Sequence, residues 1–76
     1  MQDTTSADTT ILIAAIAVAT DGNVSAFGRL FGYRGASRVF AWLAGSRPTP
    51  PDVLIWCRLI VAHPEVALWL AAEAAA

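Results

Sequence analysis

Val24-Ser25-Ala26-Phe27-Gly28-Arg29-Leu30-Phe31-Gly32-Tyr33, followed after Arg34-Gly35 by Ala36-Ser37-Arg38-Val39-Phe40-Ala41-Trp42-Leu43-Ala44-Gly45, is the stretch whose reading decides the fold. It contains two apolar stripes. Phe27, Leu30 and Phe31 fall at i, i+3 and i+4, and Val39, Trp42 and Leu43 repeat that spacing. Each trio therefore lies along one face of a helix. Asn23 caps the first helix, which runs through Phe31, and Gly32 stops it; the second starts near Ala36 and ends at Gly45.

The flanks read as helix as well. Residues 1–8 form a polar, frayed arm, and a single domain occupies residues 9–76. Asp8 or Thr9 caps a helix that continues to about Ala19 and closes at Asp21-Gly22. Thr49-Pro50-Pro51-Asp52 predicts a further start, with Thr49 as N-cap, Pro50 in the first helical position and Asp52 completing a capping box. That helix buries Val53, Trp56, Cys57 and Ile60 and stops before Pro64, which disfavours helical conformation at His63. Pro64 opens a last helix through Leu70 into the alanine tail. No segment alternates with period two, so the expected fold is all-α: a five-helix bundle.

Composition narrows the function classes. The 76 residues are 57% hydrophobic and include sixteen alanines, which favours helix. The longest apolar run, Ile11 to Ala19, is too short to span a bilayer, where about twenty residues are needed. The first ten residues hold acids and no base, unlike an export signal. The single Cys57 excludes an internal disulfide and fits a reducing cytoplasm. Cys57 and His63 are off the i, i+4 spacing for a shared metal, and no second pair completes a site. The acids are dispersed as caps and surface charges rather than paired. No catalytic site, cofactor, metal or small-molecule ligand is expected.

Charge is unevenly spread. Residues 1–21 carry three acids and no base, and residues 52–76 carry three acids against Arg58. Between them, Arg29, Arg34, Arg38 and Arg47 stand with no acid at all. A polyanion responds to local potential, so this middle section is an electrostatic footprint suited to nucleic acid; four arginines are few, however, and taken alone they more often make only a solvated basic face.

Two short helices joined by a glycine-containing turn inside a small bundle make a helix-turn-helix. Here the pattern of Phe27-Gly28, Leu30-Phe31-Gly32, Trp42-Leu43-Ala44-Gly45 and Arg47-Pro48-Thr49-Pro50 resembles the Cro-like, phage-repressor family over residues 11–62. It departs from the family in three places. The turn is one residue longer, Val24 stands where a phosphate-touching glutamine is common, and the second helix is poor in polar residues. The resemblance implies a sequence-specific binder of double-stranded DNA, acting as a repressor in a prokaryotic or phage-infected cell.

On that reading Ser37 and Arg38 face bases from the first turn of the recognition helix, with Arg38 suited to guanine O6 and N7; Arg38 as a merely solvated arginine is the plain alternative. Arg34 and Arg47 suit phosphates. Asn23 and Ser25 either meet a phosphate or act only as caps. Phe40 packs on a bundle neighbour or on thymine methyls, the first being favoured. A protein-binding module, such as an inhibitor or antitoxin, is the alternative function.

The last helix crowds Val66, Leu68, Trp69 and Leu70 into one and a half turns, more than one small core can take. Val66, Trp69 and Leu70 are therefore expected at a homodimer interface, which would set two recognition helices one duplex turn apart on a palindromic operator.

Overall fold

The computed structural model describes the backbone of residues 4–75 and the side chains from Ala7 onward. Among these residues the chain is all-α, with five helices: α1 (Thr4–Thr20), α2 (Val24–Leu30), α3 (Ser37–Ala44), α4 (Pro51–Ala62) and α5 (Glu65–Ala75). α1 is the hub and packs against each of the other four, most extensively α4. α2 packs on α3 and α5, and α4 on α5, whereas α3 touches only α1 and α2. The outer sides of α3 and of the α4–α5 pair are thus separate surfaces.

The core takes residues from every helix at helical spacing. α1 buries Leu12, Ala15 and Ile16, α2 buries Phe27, and α3 buries Val39 and Trp42. α4 adds Val53, Cys57 and Ile60, and α5 adds Val66 and Ala67. Phe27, Leu12, Ile60 and Val39 are wholly enclosed; each such side chain contributes about 1.5–3 kcal/mol relative to exposure. Leu30, Phe31 and Leu43 pack partly buried against this cluster.

The chain reverses at glycines. Gly22, Gly32 and Gly45 all have positive φ. At the α1–α2 corner the Thr20 hydroxyl donates to the Ile16 and Asn23 carbonyls at 3.1 and 2.8 Å, and the two helix axes meet at 91°. Asn23 caps α2, its side-chain oxygen accepting from the Ala26 N–H at 3.0 Å. After α2, Gly32 N–H donates to Arg29 and Tyr33 N–H to Gly28, both at 3.1 Å. That reciprocal pair satisfies two otherwise orphaned carbonyls with a left-handed residue between them. Six residues, 31–36, connect α2 to α3.

Two helix boundaries and the burial of one side chain differ from expectation. α1 begins at Thr4, so residues 4–8 are helical rather than an arm; residues 1–3 lie outside the described ones. No helix breaker separates Thr4 from Asp8, and a favourable cap at Asp8 does not prevent a helix from starting earlier. Pro50, not Thr49, precedes α4, and Pro51 takes the first helical position with no side-chain cap. Pro50 itself is extended (φ −57°, ψ 143°), because a residue followed by proline is sterically excluded from helical ψ. Trp56 is 37% exposed, lying at the edge of the Val53–Cys57–Ile60 stripe. His63 ends α4 through its backbone N–H to Leu59, and its imidazole stands 3.7 Å from the Glu65 carboxylate.

Among the described residues no single helix is long and apolar enough to cross a membrane. α1 and α2 meet that test only together, across their sharp bend.

Candidate nucleic-acid interface

The α2–α3 connector and the loop after α3 converge on the outer face of α3. Val39 and Trp42 anchor the inner side of this eight-residue helix, which leaves Ser37, Ala41 and Ala44 outward with Arg38 at one edge. Gly45, in the left-handed region, closes it, and the loop then folds back along the helix. Ser46 and Arg47 N–H groups both donate to the Ala41 carbonyl, at 3.1 and 3.3 Å, and the Ser46 hydroxyl joins them at 3.2 Å. Arg47 is thereby held beside the first turn of α3.

Two shallow depressions result, and they share a wall. One, of about 360 Å³, is lined by Gly32, Tyr33, Arg34, Gly35, Ser37 and Arg38. The other, of about 230 Å³, is lined by Ser37, Arg38, Ala41 and Arg47. Arg34, Arg38 and Arg47 are all exposed and have no carboxylate partner among the described residues. Four of the six residues singled out from sequence, Arg34, Ser37, Arg38 and Arg47, are therefore brought together around the start of α3. Asn23 and Ser25 are not among them. They sit at the start of α2, where Asn23 is engaged as a cap.

Tyr33 was not foreseen. Its ring packs edge-on against Trp42, with centroids 5.6 Å apart, and the Arg38 guanidinium lies over its face at 5.0 Å. A core tryptophan, a half-buried tyrosine and an exposed arginine thus form one stack. The cation–π contact is worth about 0.5–1 kcal/mol at an exposed site, enough to bias where Arg38 points. Tyr33 precedes Arg38 by five positions across a turn, so helical periodicity carries no signal for the pairing.

Gly28 sets how closely the connector approaches. It is buried in α2, and a Cβ there would collide with the Gly35 carbonyl oxygen. The connector fits over α2 because this position has no side chain.

Phe40 is 56% exposed on α3 instead of packing on a bundle neighbour. α1 and α2 take up the inner face of α3, and α4 and α5 do not reach it. On α5, Val66 is buried and Leu70 packs on the core, which withdraws both from the expected dimer contact. Trp69 remains exposed, and beside it Leu68 rather than Val66 is turned to solvent.

Cys57 is enclosed in the core, and desolvation pushes its thiol up to about 11, with Arg58 opposing the shift. It is held as a neutral thiol at physiological pH. No group of three or more His, Cys, Asp or Glu among the described residues is placed to hold a metal ion. No protein family, curated protein or solved structure matches the chain.

Proposed function

We propose that the chain is a sequence-specific double-stranded DNA-binding protein, a small cytoplasmic transcription regulator that represses by occupying a promoter. The observation that carries this reading is the clustering of Arg34, Arg38 and Arg47 with Ser37 and Ala41 along one face of α3. α2 and α3 act as a helix-turn-helix with a lengthened turn. The outer face of α3 is made of small residues, so the helix can lie close to base edges in a major groove, which is wide enough to admit one helix. Arg38, steered by Tyr33, reads a guanine. Arg34 and Arg47, on the flanking loops, meet phosphates and fix the register.

A second reading, a module that binds another protein as an inhibitor or antitoxin, is favoured by the large apolar side chains exposed on α4 and α5. DNA is preferred because those side chains lie away from the arginine cluster and do not account for it.

Titration of a fluorescent random-sequence duplex over a salt series separates the two. Two phosphate contacts per chain, from Arg34 and Arg47, each releasing about 0.9 counterion, give a log–log slope of about −4 for two chains on one site. Absence of binding at low salt, or a slope near zero, overturns the DNA reading.

A further inference from the structure

α5 has little polar surface. Of its residues 65–75 only Glu65 and Glu73 are not apolar, each one turn from Trp69, and a helix so largely apolar suits an interior better than a surface. Yet only Val66 and Ala67 are buried, while Leu68 is 72% and Trp69 63% exposed. The preceding helix continues the pattern. Ile55, Leu59 and Ala62 follow one another at i, i+4 and i+7 on the solvent side of α4, Ile55 being 54% exposed. Isolated apolar residues on a surface need no explanation; two adjoining helices that both turn large ones outward do.

We infer that the outer faces of α4 and α5 pair with the same faces of a second copy of this chain, as a two-fold homodimer. The inference is independent of what α3 binds.

Area favours both helices over α5 alone. An eleven-residue helix is about 16 Å long and 10 Å wide. Even allowing twofold for side-chain relief, it offers roughly 300 Å², against the roughly 800 Å² per partner of a stable interface. Adding the twelve residues of α4 brings the two faces together to about 700 Å². Charge favours a second copy over other occupants. Arg58 borders the α4 stripe, exposed and without an ion-pair partner among the described residues, and Glu73 on α5 is in the same position. Glu65 already faces His63. In an isologous contact, where residue i meets j and j meets i, one Arg58–Glu73 pairing occurs twice. A lipid surface is disfavoured, since helices that lie on anionic membranes are rich in Lys and Arg, and α4 and α5 carry three acids against one arginine.

Light scattering on the full chain between 5 and about 100 μM tests the inference, with circular dichroism as the control for folding. The wild type is expected at twice its 8.0 kDa chain mass. Leu68→Glu and Trp69→Glu, both at exposed positions, are expected at the chain mass with helicity unchanged. Arg58→Glu is expected to raise the dissociation constant about tenfold, the effect of about 1.4 kcal/mol, and Arg58→Glu with Glu73→Arg to restore it. A wild type that stays monomeric at about 100 μM overturns the interface, whichever partner then covers the face. Dimers that persist in both Leu68→Glu and Trp69→Glu overturn it as well.

Discussion

α3 and α5 are both short helices with one side turned to solvent, and they expose opposite chemistries. α3 shows Ser37, Ala41 and Ala44, edged by arginine; α5 shows Leu68 and Trp69, edged by glutamate. The difference does not come from apolar content, since α3 also carries Val39, Phe40, Trp42 and Leu43. α3 concentrates most of its bulk on the inner side and leaves small residues outside. α5 distributes bulk all round. A surface of small residues and cations suits close approach to a polyanion, whereas a surface of large apolar groups gains by being removed from water. The two surfaces share a core but no packing contact, so perturbations can be aimed at one, the other, or both.

Trp42→Ala affects both. It removes a 97% buried indole from the centre of the molecule and the edge-on support of Tyr33. The expected cost is about 3–5 kcal/mol, comparable to the roughly 3–5 kcal/mol net stability of so small a domain. Circular dichroism should show an unfolded or barely folded chain, and neither DNA binding nor self-association should survive. A cooperatively folded Trp42→Ala protein would mean that the core rests mainly on α1 and α4.

What the sequence made legible, and what it hid, follows the same division. The ends of α2 and α3 were readable because Gly32 and Gly45 hold a left-handed conformation that other residues adopt at a cost. The inner face of α3 was readable because its large residues keep a strict spacing. On α5 the two glutamates, one turn either side of Trp69, leave most of the circumference apolar, so the choice of Val66 and Ala67 for burial is made by α1, α2 and α4, which no local pattern encodes. The start of α4 is set by a local steric rule: Pro50 is itself followed by proline, which outranks the capping preference of Thr49. At the candidate site, Arg34, Ser37, Arg38 and Arg47 were identifiable by charge and position. The Tyr33–Arg38 stack was not, because it depends on the path of a six-residue connector.

Gly28→Ala is expected to separate the two surfaces. The added methyl meets the Gly35 carbonyl, and forcing a methyl into such a contact costs about 1–3 kcal/mol. The connector carrying Tyr33 and Arg34 must shift, while α4 and α5 are untouched. Thermal denaturation should register the loss, and DNA affinity should fall at temperatures where the variant is still folded and dimeric. An unchanged melting temperature would show that the connector moves away freely and does not position the arginines.

Arg38→Ala acts within the α3 surface only. The side chain is exposed and contributes one contact to the fold, over Tyr33, so stability should change by less than about 1 kcal/mol. Discrimination at a single base pair of a duplex selected by the wild type from a random pool should fall by about 1–3 kcal/mol, as for loss of a bidentate guanine contact. A uniform loss across all sequences would instead reassign Arg38 to a phosphate.

The smallest expected effect tests whether the one large apolar group on the α3 surface belongs to the chemistry of α3 or to that of α5. Phe40 and Arg38 flank Val39 in sequence, and at about 100° per residue they project to opposite sides of that buried anchor. A helix lying in a major groove would then carry a cation along one edge and a phenyl ring along the other, and the ring's natural partner is the thymine C5-methyl. Replacing thymine by uracil in the selected duplex removes that methyl and leaves every hydrogen-bonding group in place. Loss of one buried methyl is worth about 0.8 kcal/mol, roughly a fourfold weakening, at the thymine that Phe40 meets. In Phe40→Ala the thymine and uracil duplexes should bind equally well. If the preference for thymine persists in that variant, the neighbouring Ala41 methyl is the reader. If the wild type shows no preference and light scattering finds Phe40→Ala weakened in self-association, the ring belongs with Leu68 and Trp69 as part of an interface that extends beyond α4 and α5.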